Sequence, residues 1–94
     1  MSNERSTSVW DALVDSPEEA ENLRLRSKLM RALAKTIKSW ELPQKDAARQ
    51  LHVTQPRLSE LLNGKIDKFS LDALVNLLAI ADMEVDFVIK KKAA

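Results

Sequence analysis

One stretch, LPQKDAARQLHVTQPRLSELLNGK from Leu42 to Lys65, constrains this chain more than any other. Its spacing predicts two short helices, roughly Gln44 to Leu51 and Gln55 to Leu62, joined by the turn Leu51-His52-Val53. Ala47, Leu51, Val53, Leu58 and Leu61 are the apolar positions, and Ala48 is the small one that lets the helices cross closely. A three-residue turn between helices crossing steeply suits a helix-turn-helix better than a helical hairpin. Thr54 is placed to cap the second helix, its hydroxyl accepting from an orphan backbone N–H. Asn63-Gly64 is a stop signal, because glycine takes the left-handed conformation without steric cost. His52 occupies a turn position that needs positive φ, where histidine is better tolerated than most residues. Pro43 suits a helix start and brings no capping side chain.

These residues resemble the DNA-binding helix-turn-helix of Xre/Cro-type phage repressors: Gln44 opening the first helix, Thr54-Gln55 opening the second, and Asn63-Gly64-Lys65 closing it. The resemblance departs at His52, where glycine is usual, and at Pro43, where a capping side chain is common. It implies that the second helix enters a major groove of double-stranded DNA with its N-terminus leading. Gln55, Pro56, Arg57, Ser59 and Glu60 are then the candidates for reading bases. Glutamine pairs bidentately with adenine, arginine with guanine, and a carboxylate accepts from the cytosine amine. Gln44, Thr54, Asn63, Lys65 and Lys68 are the phosphate candidates, Gln44 through its helix N-terminus. Lys45 and Arg49 fit phosphate contact and a solvated helix face equally well.

Charge distribution supports a polyanionic partner. The chain's net charge is only +1, yet residues 22–68 hold eleven basic and four acidic side chains, a net +7. Residues 1–21 hold one basic and six acidic side chains, a net −5. A basic middle of this kind favours a polyanionic partner, the alternative being an ordinary solvated helix face.

With 94 residues the chain has room for one small domain built on a single core. Residues 1–15 read as a flexible acidic arm, 16–83 as the helix-turn-helix domain, and 84–94 as a C-terminal strand and basic tail. Within the arm, Val9, Trp10, Leu13 and Val14 form an apolar island that either folds back on the domain or binds a partner. Ser16-Pro17-Glu18-Glu19 is a helix start with an N-cap, a proline at the first position and a capping-box glutamate. The helix is expected to reach about Trp40, with Ala20, Leu23, Met30, Leu33, Ala34, Ile37 and Trp40 facing the core and most Arg and Lys opposite. Ser70 caps a last helix to about Asp82 that is apolar almost all round, so burial on more than one side is expected. From Glu84 to Lys90 the period changes to two, predicting one strand with Val85, Phe87 and Ile89 on its buried face. No second strand is visible to pair with it. The simplest partner is the same strand of a second copy, giving a symmetric homodimer; the alternatives are that it packs alone on its own domain or adds to the sheet of a toxin. The fold class expected is mainly α, about four helices in a lambda-repressor-like arrangement with that one strand.

Catalytic readings fail on inventory. There is no cysteine, a single glycine and a single histidine, so thiolate chemistry, a glycine phosphate loop and a metal spacing are all missing. His52 reads as a turn residue, and neither enzymatic activity nor a cofactor is expected. No apolar run spans a membrane and Met1–Ser8 lacks an apolar signal core, so a cytoplasmic protein is expected.

Over residues 9–90 the pattern resembles the Xre-family subgroup related to Hig-type antitoxins. That resemblance implies a transcriptional repressor, antitoxin-like, autoregulating a toxin–antitoxin operon with an inverted-repeat operator, with a toxin as a second partner. Val9, Trp10 and Leu13 are the candidates for toxin contact. The competing reading is a protein-interaction module whose helix-turn-helix is a scaffold that does not bind DNA.

Overall fold

The structure is a computed structural model that describes residues 16–93. The acidic arm and its island of Val9, Trp10 and Leu13 lie outside the described residues. In order, the elements are α1 (Pro17–Ser39), α2 (Gln44–Leu51), α3 (Gln55–Leu62), a 3-10 turn (Ile66–Lys68) and α4 (Leu71–Ile80).

Local chemistry bounds each helix. The Ser16 hydroxyl accepts from the Glu19 N–H at 3.3 Å, and Pro17 takes the first turn, where no donor is needed. Thr54 and Ser70 cap α3 and α4 in the same way, accepting from the Arg57 and Ala73 N–H groups at 3.2 and 3.1 Å. All four helices stop at a left-handed residue: Glu41 (φ 55°), His52 (φ 60°), Gly64 (φ 73°) and Asp82 (φ 64°). After α2, the Val53 N–H returns to the Ala48 carbonyl at 3.0 Å and the His52 N–H to that of Arg49 at 3.1 Å. The same paired return follows α3, from Lys65 to Glu60 at 3.0 Å and Gly64 to Leu61 at 3.1 Å. It recurs after α4, from Met83 to Leu78 at 2.8 Å and Asp82 to Ala79 at 3.0 Å. This is the Schellman closure, which satisfies two orphan carbonyls at the ends of α2, α3 and α4.

The buried core is wholly apolar among the described residues. Leu33, Leu51, Leu58 and Leu74 are fully buried, and Phe69 and Leu61 nearly so. Ala47 and Ala48 are each 3% exposed at the α2–α3 crossing, so their small size is what allows the close approach. Helices α1 and α4 share the most extensive contact.

The expected stripe on α1 is buried only in its second half, at Met30, Leu33 and Ile37. Ala20 and Leu23 are half-buried. The reason is length: α1 has 23 residues and α4 only 10, or about 35 Å against about 15 Å, so α4 cannot cover the whole stripe.

The C-terminal expectation needs correction for a single copy. Met83 packs against the core, its Sδ accepting from the Thr36 hydroxyl at 3.0 Å, and Val85 packs beside it. Beyond Val85 the alternation does not bury a face: Phe87 is 73% and Ile89 86% exposed, and neither rests on α4. No strand forms among the described residues, since residues 84–90 have no edge of their own chain to pair with. On α4 itself, Val75 and Ile80 stay 40% and 42% exposed, so its second apolar side is uncovered. No described helix is long and apolar enough to cross a membrane.

Candidate nucleic-acid interface

The two helix N-termini of the motif supply the donors. In α2, Asp46 and Ala47 N–H groups both turn back to the Pro43 carbonyl, at 2.9 and 3.0 Å. Proline offers no side-chain cap, so the Gln44 and Lys45 N–H groups have no acceptor among the described residues. They sit at the positive end of the helix dipole, the arrangement that binds a phosphate oxygen. Gln44 and Lys45 side chains are both exposed there.

In α3 the leading end is bare. Thr54, Gln55 and Pro56 are exposed. Thr54 uses its oxygen to cap Arg57 N–H and keeps its hydroxyl proton free to donate. Gln55 carries an amide able to donate and accept at once, and Pro56 presents a donor-free apolar edge. Further along, Ser59 and Glu60 are half-buried. The Ser59 Oγ accepts from the Asn63 side-chain amide at 3.3 Å, so this expected base reader and this expected phosphate donor are bonded to each other. Lys65 and Lys68 are exposed beyond the Gly64 closure.

Arg57 does not extend from the helix. Its Nη1 donates to the Lys68 carbonyl at 2.8 Å, and its guanidinium carbon lies 3.9 Å from the centroid of the Phe69 ring. A longer approach of 3.9 Å joins it to Glu60. The guanidinium therefore stacks on a buried aromatic face, held by the ring quadrupole and a charge-assisted hydrogen bond.

Sequence reasoning missed the partner of this contact and its counterpart on α1. Arg26 donates to the Ile66 carbonyl at 3.0 Å and the Phe69 carbonyl at 3.4 Å, while its Nε donates to Asn22 Oδ1 at 2.6 Å. Two arginines thus grip the 66–69 turn from different helices. A signal for Arg26 existed: it stands four and seven residues before Met30 and Leu33, so it lies on the core face of α1. Its basic neighbours Arg24, Lys28, Arg31, Lys35 and Lys38 are all exposed on the opposite face. There Arg24 bonds Glu21 at 2.6 Å and holds that carboxyl below the usual carboxylate range, with Lys92 adding to the effect.

His52 is exposed and serves as the left-handed closing residue of α2. Among the described residues no His, Cys, Asp or Glu group is clustered to hold a metal.

Comparison with known proteins agrees with this geometry. A family model described as a helix-turn-helix domain matches residues 12–90. A solved structure described provisionally as an XRE-family transcriptional regulator is similar at 38% identity and a TM-score of 0.72. The match covers 79% of this chain and 83% of that one. Comparison with curated proteins gives no match. With the motif helices bounded as described and the family match running through the whole of α1 and on to the tail, the chain belongs to the helix-turn-helix domain family and, through its solved relative, to the XRE group.

Proposed function

We propose that this protein is a sequence-specific DNA-binding transcriptional repressor that acts as a homodimer on an inverted repeat. The observation that carries this reading is the pairing of a bare recognition end, Gln55 and Pro56, with unused N–H groups at Gln44 and Lys45. Open N–H groups at the start of α2 and an exposed amide at the start of α3 suit a duplex, which offers phosphate oxygens and base edges together. Gln55, Pro56, Arg57, Ser59 and Glu60 are assigned to base edges, and Gln44, Thr54, Asn63, Lys65 and Lys68 to phosphates. The apolar run Phe87-Val88-Ile89, exposed on one copy, supports pairing of the tails about a two-fold axis, with Val85, Phe87 and Ile89 in the contact. Two recognition helices so joined reach major-groove faces about 34–36 Å apart.

The test uses an operator selected by the protein from random duplexes. Binding should weaken steeply with salt. Arg57→Ala should cost roughly 1–3 kcal/mol on the selected site and relax preference at one position per half-site. Lys65→Ala should weaken all sequences alike and flatten the salt slope by about one unit. Equal losses on selected and random DNA for Arg57→Ala would remove Arg57 from the base readers. Salt-independent or absent binding would favour the protein-interaction module instead.

The antitoxin role rests on the resemblance to Hig-type antitoxins. In that role an acidic arm with Val9, Trp10 and Leu13 takes a basic toxin and leaves α3 to the DNA. Removing residues 1–15 should then spare DNA binding and abolish toxin capture in a pull-down with the product of a neighbouring reading frame. Full capture by the truncated chain would place the contact elsewhere.

A further inference from the structure

We infer that Arg57 is a two-position specificity latch: it is stored on Phe69 and the Lys68 carbonyl in the free protein and on random DNA, and leaves only for a cognate base. The inference rests on the DNA-binding reading above and adds how its principal reader is gated.

Three contacts define the stored position. Nη1 donates to the Lys68 carbonyl at 2.8 Å, the guanidinium stacks 3.9 Å from the Phe69 centroid, and Glu60 lies 3.9 Å away on the same helix face. The seat is rigid, because Phe69 is 1% exposed and Arg26 fixes its carbonyl from α1. The latch itself is not buried: the Arg57 side chain is 37% exposed, so it can leave without opening the core. Stored arginine also neutralises part of Glu60 and keeps that carboxylate from facing phosphate alone.

The magnitudes allow switching. A partly exposed cation–π contact with one charge-assisted hydrogen bond favours the stored position by about 30-fold. A bidentate pair with guanine favours the extended position by roughly five- to 150-fold, and a wrong base offers no such pair. A guanine pair in the upper part of that range shifts the population, and other bases leave the arginine stored. On random DNA the protein then binds through phosphates alone, with Lys65 and Lys68 engaged and its recognition arginine withdrawn.

The experiment is NMR of the full-length protein with its side-chain arginine signals assigned. Stacking on Phe69 should shift the Arg57 side-chain protons upfield in the free protein, and the shift should persist on a random duplex. On the selected operator it should vanish. Loss of the shift already in the free protein, or its retention on the operator, would overturn the latch while leaving DNA binding intact. Absence of any signal change with any duplex would overturn the DNA reading itself, and the latch with it. Phe69→Met removes the ring and keeps a flexible apolar side chain in the core. It should tighten operator binding about two- to fivefold and leave random binding unchanged. If Phe69→Met unfolds the chain, the wild-type spectra still decide.

Discussion

At the scale of single residues, the left-handed helix ends separate what a sequence announces from what it hides. Gly64 was legible because only glycine takes φ 73° freely. His52 at φ 60° was legible through its place in the motif. Glu41 and Asp82 hold the same conformation with nothing local to mark it. Their cost is met by the carbonyls they satisfy, an outcome decided only when the helix actually stops there. These positions make a matched pair of expectations. Gly64→Ala meets no atom within 4 Å, so its penalty is backbone strain alone, about 1 kcal/mol of lost stability. His52→Gly should relieve strain of the same kind and raise stability by about 0.5–1 kcal/mol. Urea titration of both variants checks the pair. A stabilised Gly64→Ala protein would refute the strain account. The arginines teach the complementary lesson. Arg26 reaches carbonyls 40 and 43 residues away and Arg57 one 11 residues away, distances at which periodicity carries no information about the acceptor.

At the scale of elements, α2 and α3 run from Gln44 to Leu51 and from Gln55 to Leu62, the bounds their caps and stop signals predict. Helices α1 and α4 end at Ser39 and Ile80, each a residue or two before the expected Trp40 and Asp82. The expected seven-residue core stripe of α1 was too generous, since periodicity marks which face is apolar and not how much partner surface exists to cover it. The connection lengths also order the elements in time. Only three residues separate α2 from α3, whereas α1 meets α4 across everything from Trp40 to Ser70. Closing the short turn loses less chain entropy than closing the long loop, so the motif pair should form first. Ala48→Gly in α2, which also removes a buried methyl, should destabilise by about 2 kcal/mol, and the exposed Ala79→Gly in α4 by about 1 kcal/mol. In stopped-flow kinetics the first should slow folding, and the second should mainly speed unfolding. The reverse assignment would show that the α1–α4 packing nucleates the fold.

At the scale of the whole molecule, the C-terminal segment is where a single sequence said least. Alternation from Val85 to Ile89 signals a strand, but a strand is a relation between two chains of backbone, and one copy supplies only half of it. The dimer proposal turns on this point. A chain ending at Met83 keeps the buried core, which ends at Ala81, and loses Phe87, Val88 and Ile89. Light scattering should find the full-length protein dimeric at micromolar concentration and the shortened one monomeric and folded. A full-length monomer that still protects one half-site would end the tail-pairing proposal. If the tails do pair, their exposure has a regulatory meaning at the level of supply. Below the dimer constant, the DNA-competent species grows with the square of total chain, so operator occupancy responds to synthesis and dilution more sharply than any single copy could. The apolar side chains of the tail would then set the threshold at which a cell's stock of this protein begins to silence its target.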